Sequence, residues 1–147
     1  MVKQIETEWP DLGIKLTATL LDKKAPKLCE MFWDCLPRSS YTGHVVVSGQ
    51  SMKFFFPIAC KIAENLVEEK NPGDIYFYNN GQTVVIPYGS TTGSYRVNKF
   101  AEIQKEDIPK LKIAGEYAWH SKMLNAERWK GFSSPSTPPI KAIFRRK

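Results

Sequence analysis

The sequence predicts a mostly β fold of the α+β kind: a closed or nearly closed sheet with two or three helices at its ends. Three observations carry this. Seven or so short runs have strand character, glycine-bearing turns of hairpin type join most of them, and only a few segments show helical spacing of apolar residues. At 147 residues, with 42% hydrophobic and 24% charged side chains, the chain is the size and composition of one globular domain.

The elements follow in order. Val2 to Trp9 alternates weakly, and Pro10-Asp11 with Gly13 makes a turn into a strand on which Ile14, Leu16, Ala18 and Leu20 recur every second residue. Pro26 opens a short helix with Leu28, Phe32 and Cys35 or Leu36 on one face, and Pro37 ends it. Strand character returns from Tyr41 to Val47, turns at Ser48-Gly49-Gln50, and resumes from Met52 to Phe56. Phe54, Phe55 and Phe56 cannot all face the core of a two-sided strand, so one or two of them are expected at a pocket or an interface.

Ile58, Ile62 and Leu66, four apart, predict an amphipathic helix ending at Asn71-Pro72-Gly73. Asp74 to Tyr78 and Thr83 to Tyr88 read as a hairpin across Asn79-Asn80-Gly81. A polar loop, Gly89 to Ser94, leads to a strand over Arg96 to Ile103. A short helix from Ile108 to Ile113 and a longer one from Glu116 to Trp129 follow, the latter with Trp119, Met123 and Ala126 on one face. The boundary is expected near residue 130: a barrel over 1–130, then a basic, proline-rich extended tail over 131–147 that is too polar to pack a core.

The net charge of +6 invites a nucleic-acid reading, but its distribution argues against one. Residues 130–147 carry five basic groups and no acid, whereas 1–129 carry 16 basic and 15 acidic groups. A nucleic-acid surface needs its cations gathered on the face that meets phosphate. No run reaches the roughly 18 apolar residues of a membrane span, and the acids and Trp9 in the first 11 residues do not suit a signal peptide. A cytoplasmic protein is expected. Cys29, Cys35 and Cys60 have no C-x-x-C spacing and read as reduced, structural thiols. Two histidines and three scattered cysteines do not make a metal site, and nucleotide-binding, serine-hydrolase and zincin motifs are missing, so no cofactor is expected.

Leu21 to Phe32, with Ala25-Pro26-Lys27 followed five residues later by Phe32, resembles the segment of cyclophilins that ends the second strand and opens the first helix. His44 with Ser48-Gly49, Phe56-Pro57, Pro72-Gly73-Asp74, Tyr88-Gly89, and Asn98 with Phe100-Ala101 resemble a family of small bacterial cyclophilin-like proteins, largely of unknown function. These matches span most of residues 3–129 and imply a cyclophilin-like closed β-barrel. Val47 and Lys99 stand where that family is expected to have an aromatic residue and a histidine.

More loosely, the chain is similar to the cucumopine and mikimopine (opine) synthases, which join histidine to 2-oxoglutarate and close a ring by a Pictet-Spengler-type reaction. That resemblance implies a cofactor-free enzyme acting on a small carboxylate-bearing substrate. Here the carboxylates would be held by Lys99, Arg96 or Lys53 with Ser48 and Gln50, and Lys99 or His120 would be the base. His44 among valines is either a buried, hydrogen-bonded core histidine or a ligand contact. Tyr88, Ser90, Thr91 and Thr92 lie where a strand enters a loop, a place that suits ligand contacts or a plain surface loop. A non-catalytic small-ligand module is the alternative. Prolyl isomerisation is disfavoured: the cyclophilin resemblance implies an arginine on this strand to polarise the prolyl amide, and residues 41–47 contain none.

Overall fold

The computed structural model describes residues 1–59, 61–78, 81–128 and 140–147; side chains at 122–128 lie outside that description. β1 (Gln4–Trp9) turns through Pro10–Leu12 and Gly13, which has φ 64, into β2 (Ile14–Leu20). After α1 (Pro26–Asp34) come β3 (Arg38–Tyr41), β4 (Gly43–His44), β5 (Gly49–Ala59) and the short β6 (Leu66–Val67). Then β7 (Asp74–Tyr78), β8 (Gly81–Thr91), β9 (Val97–Ile103), α2 (Ile108–Arg128) and β10 (Lys141–Arg146) complete the chain.

The strands form one antiparallel sheet in the order β3-β10-β1-β2-β9-β7-β8-β5-β4, with β6 pairing β9 to the side. Its two end strands, β3 and β4, are consecutive in the chain and separated only by Thr42. That residue sews the seam: its N–H donates to Ile140 O at 2.7 Å, and its hydroxyl accepts from Trp9 Nε1 at 2.9 Å. Phe55 N donates to Ser40 Oγ at 2.9 Å across the same gap. The sheet is thus nearly closed into a barrel, as expected.

Alternation fixes which side of each strand faces inward. Met52, Phe54, Phe56 and Ile58 of β5 are buried, while Phe55 is 58% exposed. Inside, Phe32 of α1 meets Phe56 at 4.9 Å, Phe100 at 4.8 Å and Phe144 at 6.2 Å between ring centroids. α1 therefore packs toward the end of the barrel where β5 finishes. α2 packs on β4, β8, β2 and β5, toward the end where β5 begins.

Four sequence expectations are corrected. No helix runs through Ile58, Ile62 and Leu66: Ile58 is the last inward residue of β5, and its period-two register overrides the period of four. The segment that follows is instead tied down by polar groups, with Asn98 Nδ2 donating to Ile62 O at 2.8 Å and Glu64 accepting from Lys27 N and Leu28 N at the start of α1. The strand expected to reach Val47 stops at His44. The two C-terminal helices are one: Gly115, between the two expected segments, lies inside α2, where the ring of Tyr88 presses against it.

The fourth correction concerns the tail. Lys141–Arg146 is an interior strand between β3 and β1, with Ala142 and Phe144 fully buried, so the barrel does not end at residue 130. The proline-rich stretch before it masked the inward pattern of Ile140, Ala142 and Phe144. Three of the five positive charges of residues 130–147 are fixed to the barrel: Arg145 pairs with Glu6 and Glu8, Arg146 donates to Trp33 O, and Lys147 donates to Thr17. Cys60, Asn79, Asn80 and residues 129–139 fall outside the described residues, as do the expected helix contacts of Met123 and Ala126.

Candidate functional site

β4, β5 and β8 meet at a corner of the barrel that carries two clefts. Cross-strand register builds the first, on the outer face. Lys53 lies opposite Val85, Val85 opposite Tyr76, and Tyr76 opposite Lys99, forming one row across four strands. The loop at 45–48 and Tyr95 wall this face, giving a cleft of about 370 Å³ lined by Lys53, Tyr76, Tyr78, Thr83 and Tyr95 together with Ser48 and the valines. Among the described residues, Lys53 is the one charged residue in its lining.

The second cleft, of about 340 Å³, lies at the end of the barrel under α2 and is lined by His44, Val46, Gly49, Gln50, Tyr88 and Trp119. Val46 borders both, so the two adjoin. His44 is 2% exposed and tilts against Trp119 at 4.8 Å between centroids. Its Nδ1 donates to Val45 O at 2.5 Å, since a carbonyl can only accept; Nε2 is therefore the nitrogen that faces Tyr88 Oη, at 2.7 Å. In the neutral imidazole the tyrosine O–H donates to Nε2. Burial first, and then the charge of Glu116, hold the Tyr88 phenol above its ordinary pKa, so it stays protonated.

Close backbone approach shapes this mouth. Gly49, at φ 103, sits where a Cβ would fall 2.4 Å from Ser90 O, and Ser90 N donates to Gln50 Oε1 at 2.9 Å, fixing the carboxamide at the rim. Thr92 N donates to Ser48 O, which closes the loop between the clefts.

Of the residues expected from the sequence, His44, Gln50 and Tyr88 line the end cleft, and Ser48 and Lys53 line the outer one. Ser90 contributes its backbone. Arg96 is exposed, and His120 is exposed on α2 beside Trp119; neither lines these two clefts. Lys99 is expected to hold a substrate carboxylate or to act as the base. It faces the outer side, but its Nζ lies 2.8 Å from Asp74 Oδ1 and 2.6 Å from Glu102 Oε1. Burial pulls the ammonium pKa down, but the two carboxylates outweigh it and hold it above the usual lysine value. A lysine so held is a poor base.

Sequence reasoning missed Tyr76, Tyr78, Tyr95 and Trp119. The first two lie on alternate positions of β7, a signal that could have placed them on one face; Tyr95 and Trp119 are brought in by tertiary packing alone. Cys29 is inert, its thiol pushed by burial to about 12 and donating to Phe100 O. Among the described residues no three His, Cys, Asp or Glu side chains gather as a metal site, and no helix is long and apolar enough to cross a membrane.

The architecture has solved counterparts. McbB in complex with tryptophan matches at a TM-score of 0.82 and 26% identity over 97% of this chain. The chain spans 44% of McbB's length. A hypothetical protein of Archaeoglobus fulgidus matches at 0.63 and 14% identity, over 99% of this chain and 95% of its own. A cyclophilin-type peptidyl-prolyl cis-trans isomerase of Cryptosporidium parvum matches at 0.54 and 12%, over 100% and 98%. The last two likenesses are of fold alone, and the fold is cyclophilin-like. No curated protein matches the sequence. The family model described as "Protein of unknown function (DUF3830)" matches residues 9–104, and the chain belongs to that family.

Proposed function

We propose that this protein is a cofactor-free enzyme that condenses a small amino acid with a 2-oxo acid and closes a ring, in the manner of the opine synthases. The observation that carries the reading is the hydrogen-bonded His44–Tyr88 pair in the wall of one cleft, adjoining a second cleft that offers a cation and aromatic rings. The likeness to McbB, which was solved with tryptophan, supports an amino-acid ligand.

The amino nitrogen attacks the ketone carbon, the carbinolamine loses water to give an iminium, a ring carbon of the amino acid attacks it, and the ring proton leaves. Lys53 and Ser48 hold the carboxylate. An imidazolium at His44 passes a proton through Tyr88 to the departing hydroxyl, and the neutral imidazole then takes the ring proton back by the same route. The cycle is proton-neutral, and Tyr88 acts as a conduit without becoming a phenolate. This role replaces the one expected of Lys99 and His120.

The test is to incubate the protein with histidine or tryptophan and 2-oxoglutarate and look by mass spectrometry for a product at the combined mass less one water. The burial of His44, at 2% exposure, favours the second reading, a non-catalytic protein that binds a small carboxylate in the same clefts. No product and no substrate loss across a panel of amino acids, together with saturable binding, would establish it. Isomerase activity stays disfavoured, since residues 41–47 bring no arginine to the site.

A further inference from the structure

Lys70 is 7% exposed, and among the described residues no carboxylate lies within ion-pair distance of it. A buried ammonium without a carboxylate is expensive and persists only where other groups replace its water. Here its Nζ donates to Glu68 O at 2.8 Å and to Tyr95 O at 2.6 Å, and it sits 4.4 Å from the centroid of the Tyr95 ring. The lysine's own carbonyl accepts from Thr91 Oγ1. It therefore grips both ends of the loop over 92–96, which has no regular structure of its own.

Tyr95 needs such a grip. It is 38% exposed, and its ring folds back on Gly93, which has φ 110 and where a Cβ would fall 2.9 Å from Tyr95 Cε1. The ring also meets Tyr78 edge-on at 5.7 Å, and both tyrosines line the outer cleft.

We propose that Lys70 is a positioning residue for the outer cleft, its ammonium holding Tyr95 by carbonyl and ring face so that the tyrosine forms the aromatic wall. The hydrogen bond to Tyr95 O fixes the backbone of Tyr95, the one to Glu68 O anchors the ammonium, and the cation–ring contact fixes the tyrosine rotamer. Methionine at this position would fill similar space but supply neither. That this wall serves the amino substrate rests on the function proposed above.

Labelling the protein with 3-fluorotyrosine gives fluorine NMR signals from its six tyrosines, and Tyr95→Phe assigns the one in question. In Lys70→Met the Tyr95 signal is expected to move toward the position of free tyrosine while Tyr41, Tyr88 and Tyr117 hold theirs. An unmoved Tyr95 signal overturns the proposal. So does collapse of all six signals, because a residue acting on one wall of one cleft does not hold the barrel together. The second arm reads function: Lys70→Met raises KM for the amino substrate about tenfold with kcat little changed, and has no further effect in a Tyr95→Ala background. If Tyr95 moves but wild-type protein makes no condensation product, the proposed reaction fails and the positioning role stands.

Discussion

Tyr88 Oη lies 2.7 Å from Nε2 of His44, and the orientation of that bond follows from Val45 O, which accepts the hydrogen bond from Nδ1–H. This single contact joins strand β8 to strand β4 at the mouth of the barrel, and it sets the first prediction. Tyr88→Phe keeps the ring against Gly115 but removes the hydroxyl. It is expected to cost about 1 kcal/mol of stability for one lost hydrogen bond. If the pair moves the proton, condensation slows on the order of 100-fold. Urea unfolding and the initial rate of product formation check the two effects separately.

Gly115 offers a second test of the same contact. Glycine to alanine within a helix normally stabilises by about 1 kcal/mol. Here the new Cβ would fall 2.2 Å from Tyr88 Cδ1, and a packed ring cannot yield that much freely. Gly115→Ala is therefore expected to destabilise the protein by about 1–3 kcal/mol, the usual cost of overpacking. Urea unfolding at fixed pH decides the sign.

The barrel was legible in the sequence wherever one period ruled. Ile14, Leu16, Ala18 and Leu20, and the run Asp74 to Tyr78, read as strands and are strands. It was illegible where two patterns competed or a local signal hid a tertiary cause. Ile58 fits both a helix starting at that residue and the strand whose last inward position it takes, and only the burial of Met52, Phe54 and Phe56 on the same side decides between them. The continuity of α2 through Gly115 was hidden because the ring that occupies the space of its missing side chain comes from Tyr88 of another element. Tyr88 could be nominated from its place where a strand enters a loop, whereas His44, Ser48, Gln50 and Lys53 were nominated from their polar chemistry and the family resemblance. The loss of Lys99 as a base depends on Asp74, 25 positions away in sequence, which no local pattern links to it.

Lys99 gives a pH prediction. Its pKa is raised on folding, so its contribution to stability is fully present below the ordinary lysine value and is lost as pH rises through the raised one. The wild-type protein should therefore lose stability in strongly alkaline solution, and Lys99→Met should show less of that loss. At neutral pH the variant leaves Asp74, whose side chain is 7% exposed, without its cation and is expected to be less stable by about 3 kcal/mol. Condensation per folded molecule should stay unchanged, which a rate normalised to the folded fraction would show.

The C-terminal strand supplies the last test. Phe144 is fully buried and lies edge-on to Phe54 and Phe56, each at 5.1 Å, and to Phe32 at 6.2 Å. A mobile basic tail would tolerate its loss; an interior strand would not. Phe144→Ala is expected to cost about 3–5 kcal/mol, the range for a large aromatic removed from a packed core. Removing residues 140–147 would strip the strand from between β3 and β1, exposing two hydrogen-bonding edges and opening the seam that Thr42 closes through Ile140 O. The truncated chain is expected to lose cooperative unfolding, whereas Lys141→Ala, on the exposed side of the same strand, should change stability by less than about 0.5 kcal/mol. Circular dichroism during a urea titration of the three variants separates the outcomes, and a truncated protein that unfolds like the wild type would show that the barrel does not need this strand.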